Sequence, residues 1–220
     1  MVLNYYYQMK KNMKDNTIRN LYSLYNKYID FNNKKILDFG GNFDNLIRSA
    51  NGIIKNKNYT VIDVDKEAIE EGKRNYPDAT WIYSNEYNPV YNPEGIEKLQ
   101  LYEKYDLIWA YSVFTHTSYE NFKDHIKLFK QHLNVDGQIA ITFLNQNAEH
   151  VKKYFYNQRI NRYGECDNLI FNNKITYLVD NKISSIIPNK CEFLLTWYDE
   201  SILEQYGIIK HCHPLDLLII

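Results

Sequence analysis

A pair of glycines and an acid placed some way beyond it carry the first chemical signal in this chain. Lys34 to Phe39 (KKILDF) is an apolar run ending in Gly40 and Gly41, and Asp63 falls in a second run, Tyr59 to Val64 (YTVIDV). A turn without bulky side chains lets a ligand come close to backbone N–H groups. An acid about 20 residues after such a turn can accept hydrogen bonds from both hydroxyls of a ribose. The plainer alternatives are an ordinary turn at Gly40 and a solvated strand-end acid at Asp63. His116 titrates in the range useful for proton transfer at neutral pH, which makes it the candidate catalytic residue. Its alternative role is to order a loop by bonding a backbone carbonyl. Arg159 and Arg162 are the densest arginine content of an arginine-poor chain and could hold a phosphate or carboxylate, or else form a solvated polar face. His125 and His132 read as surface or packing residues of one helix. His211, Cys212 and His213 alternate before the last strand, so they face opposite sides. The sequence offers them no evident third ligand, and no metal is expected.

The elements that must position these residues alternate between short apolar runs and helical stretches, the order of βαβ units. Strands are expected over 34–39, 59–64, 79–84, 105–111 and 138–144, around 192–196, and at 215–220. Helices are expected over 16–31, from 45 to 50, over 66–75, 120–133 and 200–206, and near Val151. The 120–133 helix should bury Phe122, Ile126, Phe129 and Leu133. Asn134 to Gly137 (NVDG) reads as a turn, and 154–188 holds an uncertain hairpin region. These elements imply an open, seven-stranded, mostly parallel sheet whose ligands lie at the carboxyl ends of the strands.

The 220 residues suit one domain that buries its own core without a disulfide or metal. A formal net charge of −1 gives no whole-chain attraction to nucleic acid or an anionic membrane. Three cysteines without CxxC spacing (Cys166, Cys191, Cys212) are read as free thiols, which fit a reducing compartment. The N-terminus has no apolar core of a signal peptide, and no apolar run approaches the roughly 20 residues that span a bilayer. A cytoplasmic protein is expected.

Four segments together resemble the class I S-adenosylmethionine-dependent methyltransferase family, from about Lys34 to the C-terminus. ILDFGGNFDNLIRS (Ile36 to Ser49) resembles the family's acidic residue and glycine-rich turn, with Asn42 and Asp44 standing where the second and third glycines usually lie. VIDVDKEAIEEGKRNYPDA (Val61 to Ala79) resembles the acid-ending second strand and its helix. ATWIYSNEY (Ala79 to Tyr87) places Asn85 where the family contacts the adenine. KYDLIWAYSVFTHTSYENFKDHIKLFKQHLNVDGQIAITF (Lys104 to Phe143) resembles the fourth strand, a Ser-Val-Phe-Thr-His turn, a helix and the fifth strand. TWYDESILEQYG and HPLDLLII resemble the closing helix and last strand.

The resemblance implies an α/β, Rossmann-like three-layer sandwich with the last strand antiparallel. It implies one domain over 1–220, with an N-terminal helical segment (1–33) and an acceptor-binding cap (154–188). S-adenosylmethionine would contact Asp38, Gly40, Gly41, Asn42, Asp63, Val64, Asn85, Tyr111 and Ser112. Tyr5, Tyr6 and Tyr7 would pack as core or cover the cofactor. The acceptor would be a small polar or sugar-type molecule, with Arg159 and Arg162 to hold an anionic part and methyl transfer to oxygen beside His116. No nucleic acid or membrane partner is expected. The alternatives are a non-catalytic subunit of the same fold, motivated by Asn42 and Asp44, and an RNA or protein methyltransferase.

Overall fold

The structure, a computed structural model, describes residues 21–148, 175–179, 182–184, 194–212 and 215–220. Strands β1 (Ile36–Phe39), β2 (Tyr59–Asp63), β3 (Thr80–Tyr83), β4 (Tyr105–Ala110) and β5 (Leu133–Asn145) lie in the order β3-β2-β1-β4-β5, all parallel. Every residue of β1 is buried, as expected of a strand covered on both faces. Side chains alternate between two cores. Leu37, Phe39, Ile108 and Ala110 face one layer, and Ile36, Leu107 and Trp109 face the other.

The helices close these layers. Helix α1 (Leu21–Tyr25) and α2 (Asn45–Ser49) cover the Trp109 face together with α3 (Lys66–Asn75). Asp65 caps α3 by accepting the Ala68 N–H at 3.1 Å, and Lys73 and Arg74 sit in its last turn, where cations suit the helix dipole. Gly72 within α3 is a packing requirement. A Cβ there would lie 2.2 Å from the Trp81 ring of β3. Helix α4 (Tyr119–Gln131) is capped by Ser118 and buries Phe122, His125, Ile126 and Phe129 against the opposite face. His125 is therefore a packing residue.

Beyond β5 the sheet is larger than expected. β10 (Asp216–Ile219) pairs antiparallel with β5, as the resemblance implied, and β9 (Ile208–Lys210) pairs antiparallel with β10. β8 (Leu194–Tyr198) adds to β5 only through Leu144↔Trp197 and Asn145↔Tyr198. β6 (Ile175–Val179) and β7 (Lys182–Ser184) extend that edge as an antiparallel hairpin. Among the described residues the sheet thus has ten strands, where seven were expected. β7 and β9, of three residues each, are too short to show a period.

Three other expectations are corrected. The Asn134–Gly137 turn is a bulge within β5. The register slips between Tyr105↔Leu133 and Leu107↔Gln138, and Asp136 takes φ 62° to absorb the extra residues. Leu133 consequently begins β5 instead of ending α4. Of the long N-terminal helix, the described part is helical only to Tyr25, and Asp30 then forms a turn by accepting the Asn32 N–H at 2.9 Å. Helix α5 (Glu200–Leu203) gives way to turns before Tyr206. Residues 1–20 and the helix near Val151 lie outside the described residues, as does 154–188 apart from β6 and β7.

Candidate cofactor and acceptor site

Strand order reverses between β1 and β4, so the crevice for a ligand opens at the carboxyl ends of these two strands. The turn after β1 is held there from three sides. The Gly40 N–H continues the ladder by donating to the Ile62 carbonyl at 2.7 Å. Gly40 has φ 68°, and a Cβ on it would lie 2.4 Å from Val113 Cγ2 in the turn after β4. Asn42 follows at φ 55°, the left-handed region an Asn tolerates, so the turn persists without a second glycine. Asp44 has φ −177°, ordinary extended backbone, and pairs with Arg48 Nε at 3.4 Å. A third glycine is not required there.

Asp63 ties the two turns together. Its Oδ2 accepts the Asn42 N–H and its Oδ1 accepts the Asp65 N–H, both at 2.8 Å. Val64, between these acids, is half-buried. The carboxylate oxygens retain further acceptor capacity, because an ionised carboxylate has about four lone-pair sites.

Asp38 sits beneath the glycine turn. A Cβ on Gly41 would lie 2.6 Å from Asp38 Cγ, and the carboxyl accepts a hydrogen bond from the Tyr59 hydroxyl. Burial pushes the Asp38 carboxyl up to about 7, against the opposing effect of the Tyr59 bond, and the Asp63 charge adds to the rise. The folded state therefore keeps a proton on Asp38 that the unfolded chain loses near pH 4. Stability through this group is greatest below pH 4, falls as pH rises from 4 to 7, and is level above 7. Asp38→Asn should flatten that slope by roughly 4 kcal/mol, one pKa unit being about 1.4 kcal/mol. Urea titrations of both proteins at pH 4.5, 6 and 8 check it, and parallel pH profiles would refute it.

The loop after β3 carries Asn85. Its side-chain oxygen accepts from Asn92 Nδ2 at 3.3 Å, and its backbone carbonyl accepts the N–H groups of Ile96 and Glu97. Asn85 is thus the hub of its own loop. Glu86, next to it, meets His125 Nε2 at 3.1 Å, while His125 Nδ1 donates to the Asn121 carbonyl at 2.6 Å. The His125 ring packs on Phe39, Phe114 and Phe129. Asn88 Nδ2 in the same loop reaches the His116 carbonyl at 3.3 Å, and the Tyr91 ring stands edge-on to the His116 imidazole.

Tyr111 and Ser112 form the turn after β4. Tyr111 is half-buried near Trp109, and burial raises its phenol above the usual range. Ser112 takes φ 58°, an uncommon conformation for a serine, fixed by its N–H donating to Thr142 Oγ1 at 2.8 Å and by Thr115 Oγ1 donating to its carbonyl at 2.7 Å. His116 Nδ1 bonds the Leu194 carbonyl at 2.7 Å. A carbonyl only accepts, so Nδ1 carries the proton and Nε2 keeps its lone pair. Burial holds this imidazole below its usual pKa, so it is neutral at pH 7. The loop-ordering reading of His116 is what this bond shows, and the same bond fixes the tautomer.

Gly40, Gly41, Asn42, Asp38, Asp63, Tyr111, Ser112 and His116 therefore gather at the β1/β4 crevice, with Asn85 joined through its loop. Arg159 and Arg162 lie outside the described residues, as do Tyr5, Tyr6 and Tyr7. Sequence reading missed the supports: Val113 against Gly40, Thr142 on Ser112, and the Glu86–His125 bridge. Only Thr142 left a trace, as the polar residue within the apolar run from Ile139 to Leu144. At the end of β5, His211 meets Glu200 and Asp216. Among the described residues, no helix is long and apolar enough to cross a membrane.

A doubly wound sheet with a glycine turn and a strand-end acid beside its switch point defines a Rossmann-like domain of the S-adenosylmethionine-dependent methyltransferase class. The sequence profile of the spermine/spermidine synthase domain matches residues 16–179, and the chain belongs to that family. An S-adenosylmethionine-dependent methyltransferase from Clostridium acetobutylicum ATCC 824 has the same fold, with a TM-score of 0.50 and 14% identity over 84% of this chain and 81% of that one. A TehB-like S-adenosylmethionine-dependent methyltransferase from Corynebacterium glutamicum superposes with a TM-score of 0.44 and 19% identity, covering 64% of this chain and 71% of that one. Streptomyces venezuelae DesVI matches with a TM-score of 0.40 and 13% identity over 51% of this chain, which spans 44% of DesVI. No curated protein matches the chain.

Proposed function

We propose that the chain is an S-adenosylmethionine-dependent methyltransferase that acts on an oxygen of a small polar or sugar-type acceptor. The observation that carries this reading is the neutral His116 with its proton fixed on Nδ1. An alcohol attacking the sulfonium methyl carbon forms a C–O bond as the C–S bond breaks, and S-adenosylhomocysteine leaves. The hydroxyl proton must go to a base, and His116 Nε2 is the basic atom for it. Asp63 would take the ribose hydroxyls with its remaining lone pairs, and the Gly40–Asn42 turn would admit the methionine part. Most of the acceleration then comes from alignment of the reactants and exclusion of water. Arg159 and Arg162 are proposed to hold an anionic part of the acceptor. A soluble, cytoplasmic location agrees with the charge and the thiols.

Calorimetric titration with S-adenosylmethionine and S-adenosylhomocysteine, with NAD as control, comes first. Micromolar binding of both, without NAD, is the expected result. Acceptors are then screened by methyl transfer, and His116→Gln should lower kcat by ~10²–10⁴-fold and remove the acidic limb of the pH–rate profile. An unchanged profile would reduce His116 to a loop anchor.

A second reading has its own observation. Both Asp63 oxygens already bond backbone N–H groups, and Asn42 and Asp44 replace glycines. A non-catalytic subunit of this fold would bind neither cofactor nor product in the same titration.

A further inference from the structure

We infer that Glu200, His211 and Asp216 form a site for one divalent transition-metal cation, with Zn²⁺ best matched to the donors. The inference is independent of the methyltransferase reading. The three residues come from three places: Glu200 from α5, His211 from the turn after β9, and Asp216 from the start of β10. One ligand atom of each lies within 4.8 Å of the others. His211 Nδ1 is 3.3 Å from Asp216 Oδ2 and 4.0 Å from Glu200 Oε1. Ligands bonded tetrahedrally at about 2.0–2.1 Å stand roughly 3.4 Å apart, so these atoms need only small shifts to share an ion.

Three features separate this cluster from a chance group of surface acids. First, the two carboxylates are aimed at one point by a buried amide. Asn145, 4% exposed, directs Nδ2 to Glu200 Oε1 and to Asp216 Oδ2, the latter at 2.7 Å. The other amide atom is used elsewhere, Oδ1 accepting the Asn147 N–H at 2.9 Å, so the amide orientation is fixed. Second, Asp216 is only 6% exposed, and its Oδ1 is taken by the Cys212 N–H at 2.8 Å, leaving Oδ2 for the cluster. Third, among the described residues neither carboxylate has a lysine or arginine partner. Among those residues their ion-pairing neighbour is His211.

The donor set selects the ion. One imidazole nitrogen with two carboxylates suits Zn²⁺ better than Mg²⁺ or Ca²⁺, which favour all-oxygen sites. The His211 side chain is 66% exposed, so remaining coordination positions face water. Held this way, the ion would pin α5 and the β9–β10 turn to the end of β5, the rim where the crevice opens. Asn145 would act as the outer partner that orients the ligands.

The test is calorimetric titration of chelator-treated protein with Zn²⁺ alone, and separately with Mg²⁺, for the native chain, His211→Ala, Glu200→Gln and Cys212→Ala. Co²⁺ titration followed by visible absorption gives a second readout. One equivalent of Zn²⁺ should bind, at least 100-fold more tightly than Mg²⁺. His211→Ala and Glu200→Gln should each weaken Zn²⁺ at least 100-fold and remove the Co²⁺ band, with circular dichroism unchanged. Cys212→Ala should bind as the native chain does. Absence of a one-equivalent transition, binding that survives His211→Ala, equal affinity for Mg²⁺, or loss in Cys212→Ala would each overturn the site.

Discussion

Gly40→Ala should lower the affinity for S-adenosylmethionine by at least ~100-fold and destabilise the fold by about 2–5 kcal/mol. Two costs combine. An alanine held at φ 68° gives up roughly 1–2 kcal/mol relative to right-handed backbone. Its Cβ would also lie 2.4 Å from Val113 Cγ2, and overpacking of that kind costs about 1–3 kcal/mol. Relief of either strain moves the backbone that must meet the cofactor, or parts it from the turn after β4. The two causes can be separated. Val113→Ala in the Gly40→Ala background should restore the packing part of the stability but not the part due to φ. Urea denaturation and cofactor titration of the three variants check this. If Gly40→Ala binds the cofactor as the native chain does, the ligand does not lie over this turn.

Asp63→Asn should have an effect of similar size for a different reason. The carboxylate presents an acceptor to the Asn42 N–H on one side and to the Asp65 N–H on the other. An amide has one acceptor and one donor end, so its NH₂ must confront one of these N–H groups. The expected loss is about 1.5–3 kcal/mol of stability, the range for hydrogen bonds to a charged group. Cofactor affinity should fall by ~100-fold or more, because the ribose hydroxyls lose an acceptor and the glycine turn loses its brace. Lower stability with unchanged affinity would make Asp63 a brace alone.

The parallel half of the fold was legible because its strands are continuous apolar runs and its turns are marked by glycine and proline. Helix α3 was readable to the residue, with Asp65 at one end and Tyr76-Pro77 at the other. Asp63 could be singled out as a candidate for the same reason: it stands where a strand ends. The bulge in β5 was not legible, since Val-Asp-Gly reads equally as a turn, and only pairing with β4 keeps the chain extended. The bond from His116 to Leu194 joins residues remote in sequence, and the meeting of His211 with Glu200 and Asp216 depends on how α5 and β10 dock, which no periodicity encodes. His125 could be placed on the α4 face by spacing, but its link to Glu86 depends on how the loop after β3 folds back.

β8 grips the turn that bears His116 at three successive alternate positions. The Leu194 carbonyl takes His116 Nδ1, Thr196 Oγ1 donates to the Thr117 carbonyl at 2.7 Å, and the Tyr198 hydroxyl donates to the Phe114 carbonyl at 2.8 Å. The same strand is joined to β5 through only two residue pairs. It is therefore tied to that turn by side-chain bonds as well as to β6 along its whole length. A load applied to the β6–β7 hairpin would be transmitted along β8 straight to the imidazole, like a lever with its short arm on His116. Occupancy at that outer edge and the basicity of one nitrogen in the crevice would then be a single mechanical variable.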